Sequence, residues 1–424
     1  MLDYKLTNFS NGLRLITAPL KNTKAVTVLF LLGTGSRYES NFPGGISHFL
    51  EHMVFKGTEK RPTNLDISKA LDSVGADYNA FTSEEYTGFY VRAASEHFDL
   101  ALDILYDILY NAKFEEAEVE KEKGVIAEEI NMRQDIPQAQ VYELAKKLFY
   151  GEHLLGLPVT GSKESISQIN SEKLIEYRDK FYTGENMVVV VAGDGEEQIW
   201  QEKIEKMLSK IPKAAENDFQ KADVSQDKPA SALQEKKTDQ AHLVLAFKTV
   251  ARTDKTRPIF KVLNNLFGEN MSSRLFTEVR EKRGLAYYIS SELGEFRDQG
   301  VLAVAAGVDV SRAEEAVGVI LDEFKKLRDE KVTEEELSIA KENLKGKFYL
   351  SLEESFVVAE FLADQELFWK KIKNIEEIID EFKKVSAEEI QALAKEYFKK
   401  ENLNLAIIGP FEKKENFQTL LEGF

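Results

Sequence analysis

A segment near the middle of the chain returns near its end, which indicates two similar halves. Residues 171–194 show a helical pattern, a Glu-Asn pair, an apolar strand and a glycine turn, and residues 386–410 show the same order. Aligning Asn186 with Asn402 gives an offset of 216 residues, close to half of the 424 residues. A chain of this length exceeds one ordinary domain. The sequence therefore predicts domains at 1–210 and 236–424, joined by a linker at 211–235 that lacks apolar periodicity.

Short β-rich runs alternate with long helical patterns in both halves. Such interleaving predicts an α+β fold. The runs are residues 24–32, 88–92 and 188–192 in the first half and residues 242–248 and 302–306 in the second.

Two of the five histidines lie four residues apart, with a glutamate directly before the second, in the order His48, Glu51, His52. On a helix these three side chains fall within roughly 100° of one another. Imidazole nitrogens suit Zn²⁺, and a carboxylate beside them can act as a general base on water. H-x-x-E-H is the inverse of the common H-E-x-x-H zinc motif. The alternative is a plain polar stripe on an amphipathic helix.

The flanking residues predict that this helix is short and buried. Gly44 and Gly45 precede it, Gly57 follows where a C-terminal glycine is typical, and apolar residues fill the positions between. Buried histidines beside a buried carboxylate are unfavourable unless a cation or hydrogen bonds satisfy them. This context favours a metal site over a polar stripe.

A third ligand is expected from the charged helix predicted over residues 114–132. Glu122 and Glu129 are seven residues apart and share one face of that helix, while Glu128 and Glu129 lie at the same level and cannot be separated by pattern. The second half has no such site, because the offset places Asn264, Phe267 and Gly268 at the three motif positions.

Residues 44–61 and 79–90 resemble the inverted-zincin metallopeptidases, the family of pitrilysin, insulin-degrading enzyme and mitochondrial processing peptidase, and more closely the two-domain bacterial type. The resemblance implies that His48, His52 and Glu129 bind Zn²⁺. It implies that Glu122 is an outer carboxylate that orients a ligating histidine. It also implies that each domain is a mostly antiparallel sheet covered by helices.

The resemblance extends to substrate-binding residues. It implies that Arg280 and Tyr287, seven residues apart, hold the substrate and stabilise the reacting carbonyl. It further implies that Asn79, Ala80 and Phe81 lie on an edge strand to which a peptide adds as another strand. The alternatives are a solvated Arg280, a core Tyr287 and an ordinary turn at residues 79–80.

Composition restricts partners and compartment. The chain has no cysteine, which excludes disulfides and thiolate ligands and is compatible with the cytoplasm. It has no basic and apolar leader and no apolar run of membrane-spanning length, so neither secretion nor insertion is expected. A net charge of -17 disfavours nucleic acid and favours cationic peptides.

We therefore expect a zinc-dependent endopeptidase in which Glu51 takes a proton from the attacking water. The resemblance implies a homodimer that encloses a chamber for unfolded peptides, with each site completed in trans by Arg280 and Tyr287 of the other chain. The alternative function is a non-catalytic peptide-binding subunit or chaperone, since the family includes partners that have lost their chemistry.

Overall fold

The computed structural model describes residues 2–213, 219–412 and 415–424. These residues form two compact units, and neither unit is a continuous stretch of chain. Among the described residues, the first unit takes 2–130, 158–220 and 349–375, and the second takes 131–157, 221–348 and 376–424.

The strands, in chain order, are β1 (Lys5–Asn8), β2 (Arg14–Pro19), β3 (Ala25–Leu32), β4 (Asp77–Thr82), β5 (Thr87–Ala94), β6 (Met187–Gly193), β7 (Ala230–Glu235), β8 (Gln240–Thr249), β9 (Ala286–Glu295), β10 (Gly300–Asp309) and β11 (Leu403–Gly409). The α-helices are α1 (Ile46–Met53), α2 (Asn64–Asp72), α3 (Phe98–Tyr110), α4 (Glu116–Asp135), α5 (Pro137–Tyr150), α6 (Lys163–Ile166), α7 (Ser171–Phe181), α8 (Glu197–Leu208), α9 (Arg257–Gly268), α10 (Ala313–Asp329), α11 (Glu334–Ser351), α12 (Ser355–Trp369), α13 (Ile375–Lys384), α14 (Ala387–Tyr397) and α15 (Glu415–Glu422).

The two sheets have matching topologies. The first has the order β1-β2-β6-β3-β5-β4, and the second has the order β7-β11-β8-β10-β9. Without β1, the strands correspond one to one, and each sheet contains a single parallel pair, β2 with β6 and β7 with β11. The predicted α+β fold with two similar, mostly antiparallel domains is confirmed.

Each sheet buries both of its faces. In the first unit, α1, α3 and α7 pack on one face around Phe30, Phe49 and Leu105. The other face is covered by α12, which places Val358 and Leu362 against Leu29 and Val190. Burial on both faces explains the almost uninterrupted apolar sequences of β3 and β6.

One covering helix of each unit comes from the other half of the sequence. Helix α5 packs on β8 and β11 of the second sheet, whereas α12 packs on β3 and β6 of the first. The compact units therefore differ from the contiguous domains predicted at 1–210 and 236–424. An apolar helix face indicates that the helix is buried, but it does not indicate which sheet the helix packs against.

The segment predicted as a linker, 211–235, is not irregular throughout. Its last six residues are β7, which pairs in parallel with β11 from Ala230 opposite Asn404 onward. This pairing partner lies far away in sequence, so local composition could not indicate the strand. Residues 214–218 of the predicted linker lie outside the described part of the chain.

Candidate functional site

Helix α1 presents its polar face as the spacing predicted. Ile46, Phe49, Leu50 and Met53 are buried in the core, so His48, Glu51 and His52 lie together on the opposite, partly exposed side. The helix starts after Gly45, whose φ of 90° and close approach to the carbonyl oxygen of Thr160 leave no room for a side chain. The predicted short, bounded helix is confirmed, whereas the histidines that were expected to be buried are only partly buried.

A buried carboxylate holds the first turn of α1. Glu39 accepts hydrogen bonds from the backbone N–H of Gly45 at 2.7 Å and from that of Ser47 at 2.9 Å, and the Ser47 hydroxyl also donates to it. Burial raises the pKa of Glu39 to about 7, although the hydrogen bonds from Ser47 and Gly45 oppose the shift. Glu39 therefore fixes the residue that directly precedes His48.

The two histidines converge on one carboxylate oxygen of α4. Glu129 Oε2 lies 3.7 Å from His48 Nε2 and 3.9 Å from His52 Nε2. One potential ligand atom from each of these residues lies within 4.8 Å of the others. Two imidazole nitrogens and a carboxylate oxygen match a catalytic zinc site that keeps a fourth position open. Glu128, which pattern alone could not separate from Glu129, is exposed.

Glu122 contacts a histidine from outside this cluster. Its Oε1 lies 2.8 Å from His52 Nδ1, and its Oε2 lies 2.5 Å from Lys56 Nζ. Burial acts to raise the pKa of Glu122, but hydrogen bonds from His52 and Lys56 outweigh it and hold the pKa below its usual value. A carboxylate in this place fixes the ring of His52 and leaves its Nε2 directed at Glu129.

Glu51 projects from the same helix toward the first sheet. Thr82 Oγ1 on β4 donates a hydrogen bond of 2.5 Å to Glu51 Oε2. Burial raises the pKa of Glu51, and the hydrogen bond from Thr82 and the charge of His52 oppose the shift. A carboxylate with a raised pKa is suited to accept and return a proton near neutral pH.

The strand that carries Thr82 is the edge strand predicted at residues 79–81. β4 ends the first sheet, and it pairs with β5 through Asn79 opposite Tyr90 and Ala80 opposite Phe89. An ordinary turn at this place is therefore excluded. The half-buried ring of Phe81 packs over Gly88. Binding of substrate by Asn79, Ala80 and Phe81 stays a prediction.

Arg280 and Tyr287 belong to the second unit, while the α1 residues belong to the first. Arg280 is exposed on a π-helical turn, Phe276–Glu281, with its guanidinium 4.9 Å from the ring centre of Phe276. Tyr287 lies on β9 with 58% of its surface exposed, which excludes the alternative of a core aromatic residue. Their contact with substrate stays a prediction.

Three residues of the site, Lys56, Thr82 and Glu39, have little or no signature in the sequence. Lys56 gave a weak signal, because it lies one helical turn after His52. Thr82 lies in the segment that carries the resemblance, but a threonine in a strand has no distinctive pattern. Glu39 gave no signal, since its bonds to Gly45 and Ser47 depend on a loop whose path the sequence does not specify.

Comparisons with known proteins identify the family of the chain. Residues 14–163 match the family described as insulinase (peptidase family M16), and residues 168–344 match the peptidase M16 inactive domain. An uncharacterized zinc protease of Bacillus subtilis is 36% identical over 94% of this chain and 97% of its own length. One of Streptomyces coelicolor is 32% identical over 96% of this chain and 90% of its own length.

Solved structures show the same fold. A protease from Helicobacter pylori superposes with a TM-score of 0.90 at 25% identity and covers 96% of this chain and 100% of its own. A peptidase M16 inactive domain from Pseudomonas fluorescens has a TM-score of 0.90 at 18% identity, with coverage of 97% and 98%. No helix among the described residues is long and apolar enough to cross a membrane. The resemblance noted in the sequence is confirmed, and the chain belongs to the M16 family of peptidases, whose members include zinc proteases.

Proposed function

We propose that the protein is a zinc-dependent endopeptidase that hydrolyses unfolded peptides. The observation that supports this most strongly is the convergence of His48, His52 and Glu129 within 4.8 Å, with Glu51 on the same helix. These three residues would hold the zinc ion. When bound, zinc polarises a carbonyl group and makes water easier to deprotonate.

The remaining roles follow from the placement of the side chains. Glu51 takes the proton of the attacking water and returns it to the departing amine, as its raised pKa allows. Glu122 orients His52 through the hydrogen bond to Nδ1. Arg280 and Tyr287 hold the peptide and stabilise the oxyanion.

Substrate breadth is supported by the exposed edge of β4. A peptide that adds to this edge is held by backbone hydrogen bonds, which every sequence can form. We expect unfolded peptides of a few tens of residues to be cut and stably folded domains to be spared. Efficient cleavage of a folded domain at a site buried in its native state would contradict an enclosed chamber. A cytoplasmic location is part of the same proposal, and the lack of cysteine is compatible with it.

The decisive test compares Glu51→Gln with His52→Ala on a mixed peptide library, with the zinc content of each variant measured. Glu51→Gln is expected to keep zinc and lose on the order of a hundredfold in turnover, because only the general base is removed. His52→Ala is expected to lose zinc and turnover together. If the wild-type chain binds zinc and peptides but cleaves none, the non-catalytic peptide-binding subunit is the correct function.

A second test addresses the homodimer with sites completed in trans. Glu51→Gln and Tyr287→Phe homodimers are each expected to be impaired. If Arg280 and Tyr287 act on the partner's zinc site, a mixed dimer contains one site with both defects and one intact site. Activity should then recover on mixing. No recovery despite demonstrated subunit exchange would reject the shared site.

A further inference from the structure

Tyr287 occupies an irregular position in its strand. Along the pairing of β9 with β10, Tyr288 is opposite Gly307, but the next pair joins Ala286 to Val308. Tyr287 is therefore the extra residue of a β-bulge. Bulges bend an edge strand and redirect a side chain, and they are frequent beside functional sites. This bulge accounts for the exposure of an aromatic residue within a strand.

The neighbouring Tyr288 reaches across β10 to the next strand. Gly307 lies between them, paired with Tyr288 on one side and with His242 on the other. Tyr288 Oη lies 3.0 Å from His242 Nδ1, and the two rings are stacked with centres 6.0 Å apart. One side-chain contact thus connects three strands, along the row formed by His242, Gly307 and Tyr288.

This contact depends on the absence of a side chain at Gly307. A Cβ atom added there would lie 2.3 Å from Tyr288 Cε1, closer than any carbon contact permits. The φ angle of Gly307 is not positive, so its backbone does not itself require glycine. The ring of Tyr288 fills the space above Gly307, and that is the local reason for the glycine.

The surroundings keep both members of the pair uncharged near neutral pH. Burial raises the pKa of Tyr288 to about 12, and burial lowers the pKa of His242. A neutral phenol can donate to the free nitrogen of a neutral imidazole. Tyr288 also packs against an apolar cluster that includes Val244 and Ala305 of the sheet and Val141 of α5. The pair is therefore held by packing and by one hydrogen bond.

We propose that His242 and Tyr288 form a clasp over Gly307 that fixes the bulge and positions the side chain of Tyr287 toward substrate. The inference rests on the proposed substrate contact of Tyr287. Without the clasp, Tyr287 can join the ladder opposite Val308, and its side chain then takes the alternating orientation of a regular strand instead of the orientation that the bulge gives it. His242 and Tyr288 are thus positioning residues that act through Tyr287.

Two substitutions break the clasp by different means. Tyr288→Phe deletes the hydroxyl, and Gly307→Ala displaces the ring. Each is expected to lower kcat/KM for peptides about fivefold to tenfold, the usual effect of one hydrogen bond. His242→Leu should match them, whereas His242→Asn should recover most of the loss because its Oδ1 can replace Nδ1 as the acceptor. Tyr397→Phe, in a tyrosine that packs on Phe260 of the same unit, is the control and should leave kcat/KM unchanged.

A double-mutant cycle separates positioning from general stability. If the clasp acts through Tyr287, Tyr288→Phe should cost little further in a Tyr287→Phe chain. Equal losses in both backgrounds would overturn the positioning role.

Hydrogen exchange tests the clasp without reference to activity. The backbone N–H groups of residues 286–289 should exchange faster in Tyr288→Phe and Gly307→Ala than in the wild type and in Tyr397→Phe. Unchanged exchange would overturn the clasp itself. If exchange rises but Tyr287→Phe keeps full activity, the clasp stands and the proposed substrate role of Tyr287 fails.

Discussion

The same helix-on-sheet arrangement holds ionisable side chains in the first unit and amides in the second. In the first unit, α1 and α4 bring two histidines to within 4 Å of Glu129. In the second unit, α9 and α11 meet through Asn265 Nδ2 and Asn343 Oδ1 at 2.9 Å. Amides bind zinc poorly, and Asn265 Nδ2 also lies 3.4 Å from Glu269 Oε2. Among the described residues, metal-ligating side chains therefore come together in the first unit alone.

The second unit has also closed the space that a ligand would need. Phe267, at the position equivalent to Glu51, is fully buried and packs 4.5 Å from the ring of Phe324. Gly268, at the position equivalent to His52, lies so close to Ser291 that an added Cβ would be 2.5 Å from its hydroxyl. The second unit thus has tightly packed apolar side chains at positions where the first unit keeps polar groups partly exposed. Functional sites commonly reduce stability in this way.

The largest expected effect is the loss of stabilisation by zinc, which we expect the first unit alone to bind. At a zinc concentration of about a thousand times Kd, bound zinc stabilises a fold by about 4 kcal/mol. Glu129→Ala should abolish the rise in unfolding temperature that zinc produces, because it removes the only carboxylate of the cluster. Asn343→Ala, the matched change in the second unit, should leave that rise intact. A zinc-dependent rise that survives in Glu129→Ala would show that another residue completes the site.

The next effect concerns the start of α1, which the buried Glu39 holds, whereas the carboxylate at the start of α9, Asp254, which accepts from Thr256, is exposed. The pKa of Glu39 rises from 4.5 when unfolded to about 7 when folded, so between these values the folded chain retains a proton that the unfolded chain has lost. The contribution of Glu39 to the free energy of unfolding is therefore fully present below pH 4.5 and is lost as the pH rises through about 7. The loss amounts to about 3 kcal/mol, at 1.36 kcal/mol per pH unit.

Urea unfolding of the wild type and of Glu39→Gln between pH 5 and pH 8 measures this contribution. Glu39→Gln carries no titratable group at that position, so its stability should decline less steeply over the same range. Parallel pH profiles for the two chains would contradict the raised pKa.

A smaller effect is expected from the amide pair of the second unit. Asn343→Ala leaves the fully buried Asn265 without one of its hydrogen-bond partners, which typically costs about 1 to 2 kcal/mol. Replacing both asparagines by leucine also removes the bonds that Asn265 makes with Glu269 and Asn270, so the double variant should be less stable than the single one. The free energy of unfolding of the three chains decides this, and a double variant more stable than the single one would contradict it.

The parts of the molecule that sequence predicted are those fixed by neighbouring residues. The apolar spacing of α1 and its flanking glycines placed His48 and His52 on one face, because helix geometry is local. The choice between Glu128 and Glu129 is not local. It depends on which face of α4 is buried, and the burial of Ile126 and Ile130 turns Glu129 toward α1.

Features fixed by contacts between residues far apart in sequence were not predicted, because no pattern of neighbouring residues indicates them. The sequences of α5 and α12 do not indicate which sheet each helix covers, because the buried face of each helix is simply apolar. The bulge at Tyr287 depends on a register with β10 that no pattern in β9 states. The sequence and its resemblance therefore indicated the ligands and Glu122, whereas the contacts of Glu39, Lys56 and Thr82 required the structure.

The smallest expected effect tests how far the site extends beyond its ligands. Lys56→Met keeps most of the side-chain stem but removes the ammonium that lies 2.5 Å from Glu122. Loss of a group that hydrogen-bonds a ligating histidine usually weakens metal binding tenfold to a hundredfold, and Lys56 is one bond further away. We therefore expect zinc affinity, measured by competition with a chelator, to fall by up to about tenfold, and Lys56→Arg to restore most of it. Lys60→Met, which breaks the exposed pair with Asp103, is the matched control and should bind zinc as the wild type does. Zinc binding by Lys56→Met as tight as that of the wild type would confine the metal site to Glu122 and the three ligands.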